Sequence, residues 1–113
     1  MKAESHIVLT QGNVYRRFFF NDLIFVKVTG YVLTCWLEGG EKYSLCRSLK
    51  CFKKSLPSEF IQINRSEIIH FEKILKFNKK SRVITLADQS KHKVSVRQIP
   101  VVLEAFRTKS YFA

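Results

Sequence analysis

Apolar positions in this chain come in short runs cut by turn residues. Ile7–Leu9 stops at Gln11-Gly12-Asn13, Val14–Phe20 at Asn21-Asp22, and Leu23–Val28 at Thr29-Gly30. Tyr31–Leu37 precedes Glu38-Gly39-Gly40-Glu41, whose glycine pair suits the positive φ of a tight hairpin, and Lys42–Leu45 returns. Further on, Ile74–Phe77, Arg82–Leu86 and Lys91–Val94 are separated by Asn78-Lys79-Lys80-Ser81 and Ala87-Asp88-Gln89-Ser90. Short runs at a spacing of roughly ten residues predict an all-β meander. Alternation within them is imperfect. Several carry apolar residues on both faces, which predicts more than one small sheet packed together.

Two stretches carry helical spacing instead. Ser48 suits an N-cap, Leu49, Phe52 and Leu56 fall on one face, Lys53 and Lys54 sit in the last turn, and Pro57 ends the helix. A second short helix is predicted after Ser95, with Pro100 in its first turn and Leu103 and Phe106 on its buried face. No repeat, linker or low-complexity tract divides the chain, so residues 1–113 read as one domain.

Composition reinforces strands: ten Phe, four Tyr and one Trp stand among many Val and Ile. A hydrophobic fraction of 46% excludes global disorder. No run approaches the roughly 20 apolar residues of a membrane-spanning helix. Met1–Thr10 mixes Lys2, Glu4 and His6 with short apolar runs, unlike a secretory signal. A soluble, cytoplasmic protein without membrane insertion is therefore expected. Charge changes the picture most. Twenty Lys and Arg face nine Asp and Glu, a formal net charge of +11, which points to a polyanionic partner, nucleic acid first, over a merely solvated basic surface.

Catalytic signals are thin. The chain has no dinucleotide-binding glycine motif, no phosphate-binding loop and no zinc-protease helix motif. Asp22, Glu59, Glu67 and Glu72 have no spacing that pairs them. Cys35, Cys46 and Cys51 cannot all pair within the chain and fit no C-x-x-C motif, so they read as reduced, buried or half-buried thiols. His6, His70 and His92 are scattered and read as exposed. No metal or cofactor is expected, and enzyme ranks last among the function classes. Basic residues do cluster. Lys73, Lys76, Lys79, Lys80, Arg82, Lys91, Lys93 and Arg97 share a stretch whose sole acid is Asp88, and alternation puts Lys91 and Lys93 on one face, suited to phosphate. Arg47, Lys50, Lys53 and Lys54 form a second cluster in and beside the first helix.

One segment is more specific. Ser48-Leu49-Lys50, then Leu56-Pro57, Phe60 and Ile63-Asn64-Arg65-Ser66-Glu67-Ile68-Ile69, resembles the centre of the LytTR DNA-binding domain family. The likeness extends upstream through Asp22–Val26 and Gly30-Tyr31, and downstream through Ile74, Val83–Leu86 and Val94-Ser95-Val96-Arg97, covering about residues 14–106. His70 stands where the family usually has asparagine, which bears on a loop contact. Cys35 and Trp36 replace commoner small or aliphatic residues, which bears on packing. The resemblance implies a mainly β fold: an elongated arrangement of small, mostly antiparallel sheets with one or two short helices. It implies promoter DNA read by loops in successive major grooves. Arg65, Tyr31 and Arg97 would lie at the bases, and Ser48, Lys50 and Ser66 at phosphates.

The residue chemistry suits those roles. Arginine can address guanine O6 and N7 with two parallel donors, lysine is a point charge for phosphate, and a helix N-terminus offers free amides to an anion. Alternatives stand beside each: a salt bridge from Arg65 to Glu67 or Glu59, an ordinary strand aromatic at Tyr31, a solvated arginine at 97. The leading expectation is a bacterial transcription regulator, either stand-alone or the output domain of a response regulator, since 113 residues leave no room for a receiver domain. It would associate weakly, pair on two DNA half-sites and take its signal from a separate input protein. An RNA-binding module and a protein-interaction domain using free sheet edges are the other readings.

Overall fold

A computed structural model describes residues 5–111. Four of the ten N-terminal residues discussed above thus lie outside the described residues. Ten strands and two helices follow in order: β1 (His6–Gln11), β2 (Val14–Phe19), β3 (Leu23–Thr29), β4 (Val32–Leu37), β5 (Lys42–Cys46), α1 (Leu49–Lys53), β6 (Phe60–Asn64), β7 (Glu67–His70), β8 (Ile74–Asn78), β9 (Val83–Leu86), β10 (Lys91–Lys93) and α2 (Ile99–Lys109). They form a β1–β2 ribbon, a central five-stranded sheet in the order β5-β4-β3-β7-β6, and a three-stranded sheet β10-β9-β8. Every pairing is antiparallel. The molecule measures 48 × 40 × 25 Å.

The broken alternation has a packing cause: the central sheet is buried on both faces. On one face, Leu23, Val26, Leu33, Cys35, Leu37 and Ile68 meet Leu9 and Phe18 of the ribbon and Leu49 and Phe52 of α1. On the other, Ile24, Phe25, Ile61, Ile63 and Ile69 meet Ile84 and Leu86 of β9, Val94, and Val102 and Ala105 of α2. In β3 a register shift between Leu23 and Phe25 lets Leu23 and Val26 share a face despite their odd spacing. Four consecutive buried residues follow from that bulge.

Phe60–Asn64 and Glu67–His70 form a strand pair, β6–β7, joined by the two-residue turn Arg65–Ser66. Several expectations are corrected. Tyr31 belongs to the β3–β4 turn, with Gly30 at φ +62°, and β4 begins at Val32. Helix α1 is capped as expected, the Cys51 N–H donating to Ser48 Oγ at 3.1 Å, but it ends at Lys53. Ser55 and Leu56 close tighter turns onto Phe52 and Lys53, leaving Leu56 half-buried against the first core. In α2, Pro100 is in the first turn, but Leu103 is exposed; Val102 and Ala105 turn inward, and Phe106 packs edge-on against Phe71 at 5.1 Å. Cys46 and Cys51 are exposed, whereas burial pushes the Cys35 thiol up to about 12. His70 and His92 are buried.

Candidate nucleic-acid interface

Strand direction sorts the turns of the central sheet to two ends. β3, β5 and β6 run toward one end, and β4 and β7 run away from it. That end therefore carries the Gly30–Tyr31 turn, the Arg65–Ser66 turn, and the exit from β5 through Arg47 to Ser48 and Lys50. The Val28 N–H donates to Ser66 O at 2.9 Å, tying the first two turns together. The three-stranded sheet is aligned with it. Asn64 Nδ2 donates to Lys93 O at 2.8 Å, and the Val94 N–H donates to Arg82 O at 2.7 Å. These bonds bring Lys79, Lys80 and Arg82 of the β8–β9 turn to the same end.

The charge follows the same division. Asp22, Glu38, Glu41, Glu59, Glu72 and Asp88 all sit in turns at the opposite end. Some are already paired there, Glu38 with Lys73 at 2.8 Å and Glu41 with Arg16. At the basic end, the acid beside the described turns is Glu67, the first residue of β7, and it is buried against His92. A net excess of cations is thus concentrated on one rim, as a polyanion site needs.

The expected site residues stand as follows. Arg65 is exposed, and among the described residues no acid pairs with it, so the Glu67 or Glu59 salt bridge is absent. Tyr31 is 90% exposed. Arg97 lies exposed in the single 3-10 turn Val96–Gln98 that leads into α2. Arg65, Ser66 and Arg97 line one open groove of about 710 Å³, together with Lys53, Gln62, Asn64, Ser95 and Gln98. Lys91 and Lys93 are exposed on one face of β10 as alternation predicted, and with Lys27 they line an adjoining groove of about 390 Å³. Ser48 and Lys50 are exposed at the start of α1. The Ser66 hydroxyl and its N–H both donate to Asn64 Oδ1, at 3.1 and 2.9 Å.

Sequence reasoning placed Lys53 in the second basic cluster but did not single out Gln62 and Gln98. Lys53 Nζ donates to Gln62 Oε1 at 3.2 Å, and Gln98 Nε2 donates to Gln62 O at 2.7 Å, so α1, β6 and the start of α2 meet beside the groove. The signal available was the position of Lys53 in the second basic cluster. The buried Glu67–His92 pair was also missed. Burial would push the Glu67 carboxyl up, but hydrogen bonds from His92 and Asn64, with the charges of His92 and Lys27, outweigh it and hold the group below its ordinary value. His70 does not touch the loops. It is buried, and its Nδ1 accepts the Glu72 N–H at 3.2 Å, capping the turn Phe71–Lys73 at the far end. Among the described residues no cluster of His, Cys, Asp or Glu could hold a metal. Among the described residues, no helix is long and apolar enough to cross a membrane.

The family model for the LytTr DNA-binding domain matches residues 14–107. The chain belongs to this family. A solved LytTr DNA-binding domain of a methyl-accepting/DNA response regulator from Bacillus cereus superposes with a TM-score of 0.70 at 17% identity, covering 94% of this chain and 96% of that one. That likeness confirms the mainly β, LytTR-type architecture. No curated protein matches the sequence significantly. The family the chain belongs to is one of DNA-binding domains.

Proposed function

We propose that this LytTR domain is a sequence-specific double-stranded DNA binder acting at bacterial promoters in the cytoplasm. In this reading Arg65, Tyr31 and Arg97 reach base edges from turns, while Ser48, Lys50, Ser66, Lys91 and Lys93 hold phosphates. The carrying observation is the sorting of charge by strand direction: basic turns share one rim and exposed turn acids stand at the other. A rim of separate turns suits entry into successive major grooves, each turn addressing a different stretch of backbone and bases. Ser48 accepts the Cys51 amide through a lone pair, which leaves its hydroxyl hydrogen for a phosphate. For Ser66, the hydroxyl hydrogen reaches a phosphate only when it turns away from Asn64 Oδ1, so its share is the smallest.

Monomers are expected to associate weakly and to pair on two half-sites, with signal input from a separate protein. Footprinting on duplexes selected from a random pool, at physiological salt and with RNA and random-DNA competitors, tests the reading. Protection of a defined duplex sequence that random DNA and RNA fail to abolish is expected. Preferential binding to single-stranded RNA would contradict it. Sedimentation of the free protein is expected to show monomer, and a tight dimer without DNA would contradict the half-site scheme.

A further inference from the structure

The turn that carries Arg65 is held by a hydrogen-bond relay between two sheets, with the buried Glu67–His92 bond at its centre. Asn64 uses its full amide capacity. Its Oδ1 accepts the Ser66 N–H and hydroxyl, and its Nδ2 donates to Lys93 O at 2.8 Å and to Glu67 Oε1 at 3.0 Å. The other Glu67 oxygen meets His92 Nδ1 at 2.6 Å, and His92 Nε2 meets Ser90 Oγ at 2.7 Å. Ser90 Oγ in turn meets Asp88 Oδ1. His92 is packed edge-on against Phe25, centroids 4.3 Å apart, so the relay is walled by the second core.

A carboxylate only accepts, so the Ser90 hydroxyl donates to Asp88 and Glu67 accepts from His92 Nδ1–H, while the His92–Ser90 contact takes its direction from the imidazole tautomer. The serine–histidine–glutamate order matches that of a hydrolytic nucleophile and its base, but here the serine hydrogen is directed away from the imidazole, so the arrangement is one of support.

We propose that Glu67 and His92 are positioning residues for base recognition. They lock the Arg65–Ser66 turn of the central sheet to β10 of the three-stranded sheet, and so fix where Arg65 projects relative to Lys91 and Lys93. This rests on the reading of Arg65 as a base-contacting side chain. A long arginine discriminates a base pair when its stem is held at a set height and angle, since bidentate contact has little tolerance. Exposed turns joined by backbone bonds alone fray easily; the Glu67–His92 pair couples this one to the three-stranded sheet and, through Phe25, to the second core.

The test has a DNA-free arm and a DNA arm. In ¹⁵N relaxation, Glu67→Leu is expected to lower the amide order parameters of Asn64, Arg65 and Ser66 from about 0.85 toward 0.6, with α2 unchanged. Glu67→Gln, which can still bond both Asn64 and a singly protonated His92, is expected to restore them. If Glu67→Leu does not fold, His92→Gln carries the same measurement from the other side of the relay. Unchanged order parameters in a folded relay-breaking variant would overturn the proposal. In titrations against a duplex selected from a random 40-base-pair pool and its scrambled counterpart, Glu67→Leu is expected to lose about tenfold in the cognate-to-scrambled ratio. In an Arg65→Ala background the same change is expected to lose nothing more; an equal further loss would also overturn the proposal. If Arg65→Ala alone leaves the ratio intact, the base-reading role has failed, and the relaxation arm still decides the positioning.

Discussion

At the scale of single residues, the proposed interface divides between side chains expected to read bases and side chains expected to hold phosphates. Arg65 is unpaired by any described acid and projects from a turn anchored on both sides by buried Ile63 and Ile68. Arg65→Ala is expected to cost roughly 1–3 kcal/mol against the cognate duplex and to relax preference at one base position. Lys50→Ala is expected to weaken cognate and random duplexes alike and to lower the salt slope by about one. Paired titrations with thermal melts check both, and each variant is expected to stay folded because both side chains are exposed. His70 belongs to stability instead. Burial, with help from the Lys73 charge, pulls its imidazole below the ordinary value, and the carboxylates of Glu72, Glu59 and Glu38 only partly offset this. The unfolded chain takes up a proton near pH 6.5 that the folded ring refuses, so this contribution is complete above about that pH and is lost as pH falls below it. His70→Asn keeps a side-chain acceptor for the Glu72 amide and removes the titration. Its melting temperature is expected to fall less than the wild type's between about pH 7 and 5; an unchanged slope would contradict this account of His70.

At the scale of elements, most boundaries were legible because turn residues mark them. Gly12, Gly30, Gly39 and Gly40 all take positive φ, and the Ser48 cap stands where the sequence put it. The β6–β7 hairpin was less legible. Its turn, Arg65–Ser66, has no glycine, and its strands face two cores, so neither punctuation nor alternation announces it. Leu103 misled for a related reason: α2 presents apolar residues on several sides, and only docking against β6 decides that Val102 and Ala105 turn inward. The β3–β4 turn offers a prediction at this scale. An added Cβ at Gly30 would meet nothing within 4 Å, so Gly30→Ala tests backbone strain alone. It is expected to cost about 1 kcal/mol in urea unfolding, from holding alanine in the left-handed region. A larger loss would mean that the turn also carries a packing role.

At the scale of the molecule, composition announced the partner but not its face. The charge of +11 was on the page from the start, whereas the sorting of charge to opposite ends appears only once strand directions are known. The Glu67–His92 pair was equally hidden, since its members lie 25 residues apart and meet through sheet packing. If about six phosphates are neutralised, the logarithm of affinity should fall with that of salt at a slope near −5. Binding that barely responds to salt would contradict an electrostatic rim. The most direct test of the rim itself is a ¹H–¹⁵N shift map of the protein titrated with its selected duplex. The account predicts perturbations at Gly30–Tyr31, Ser48–Lys50, Arg65–Ser66, Asn78–Arg82 and Lys93–Arg97, with Asp22, Glu38–Glu41, Glu72 and Asp88 unmoved. Perturbations centred on the acidic turns, with the Arg65–Ser66 turn silent, would contradict it.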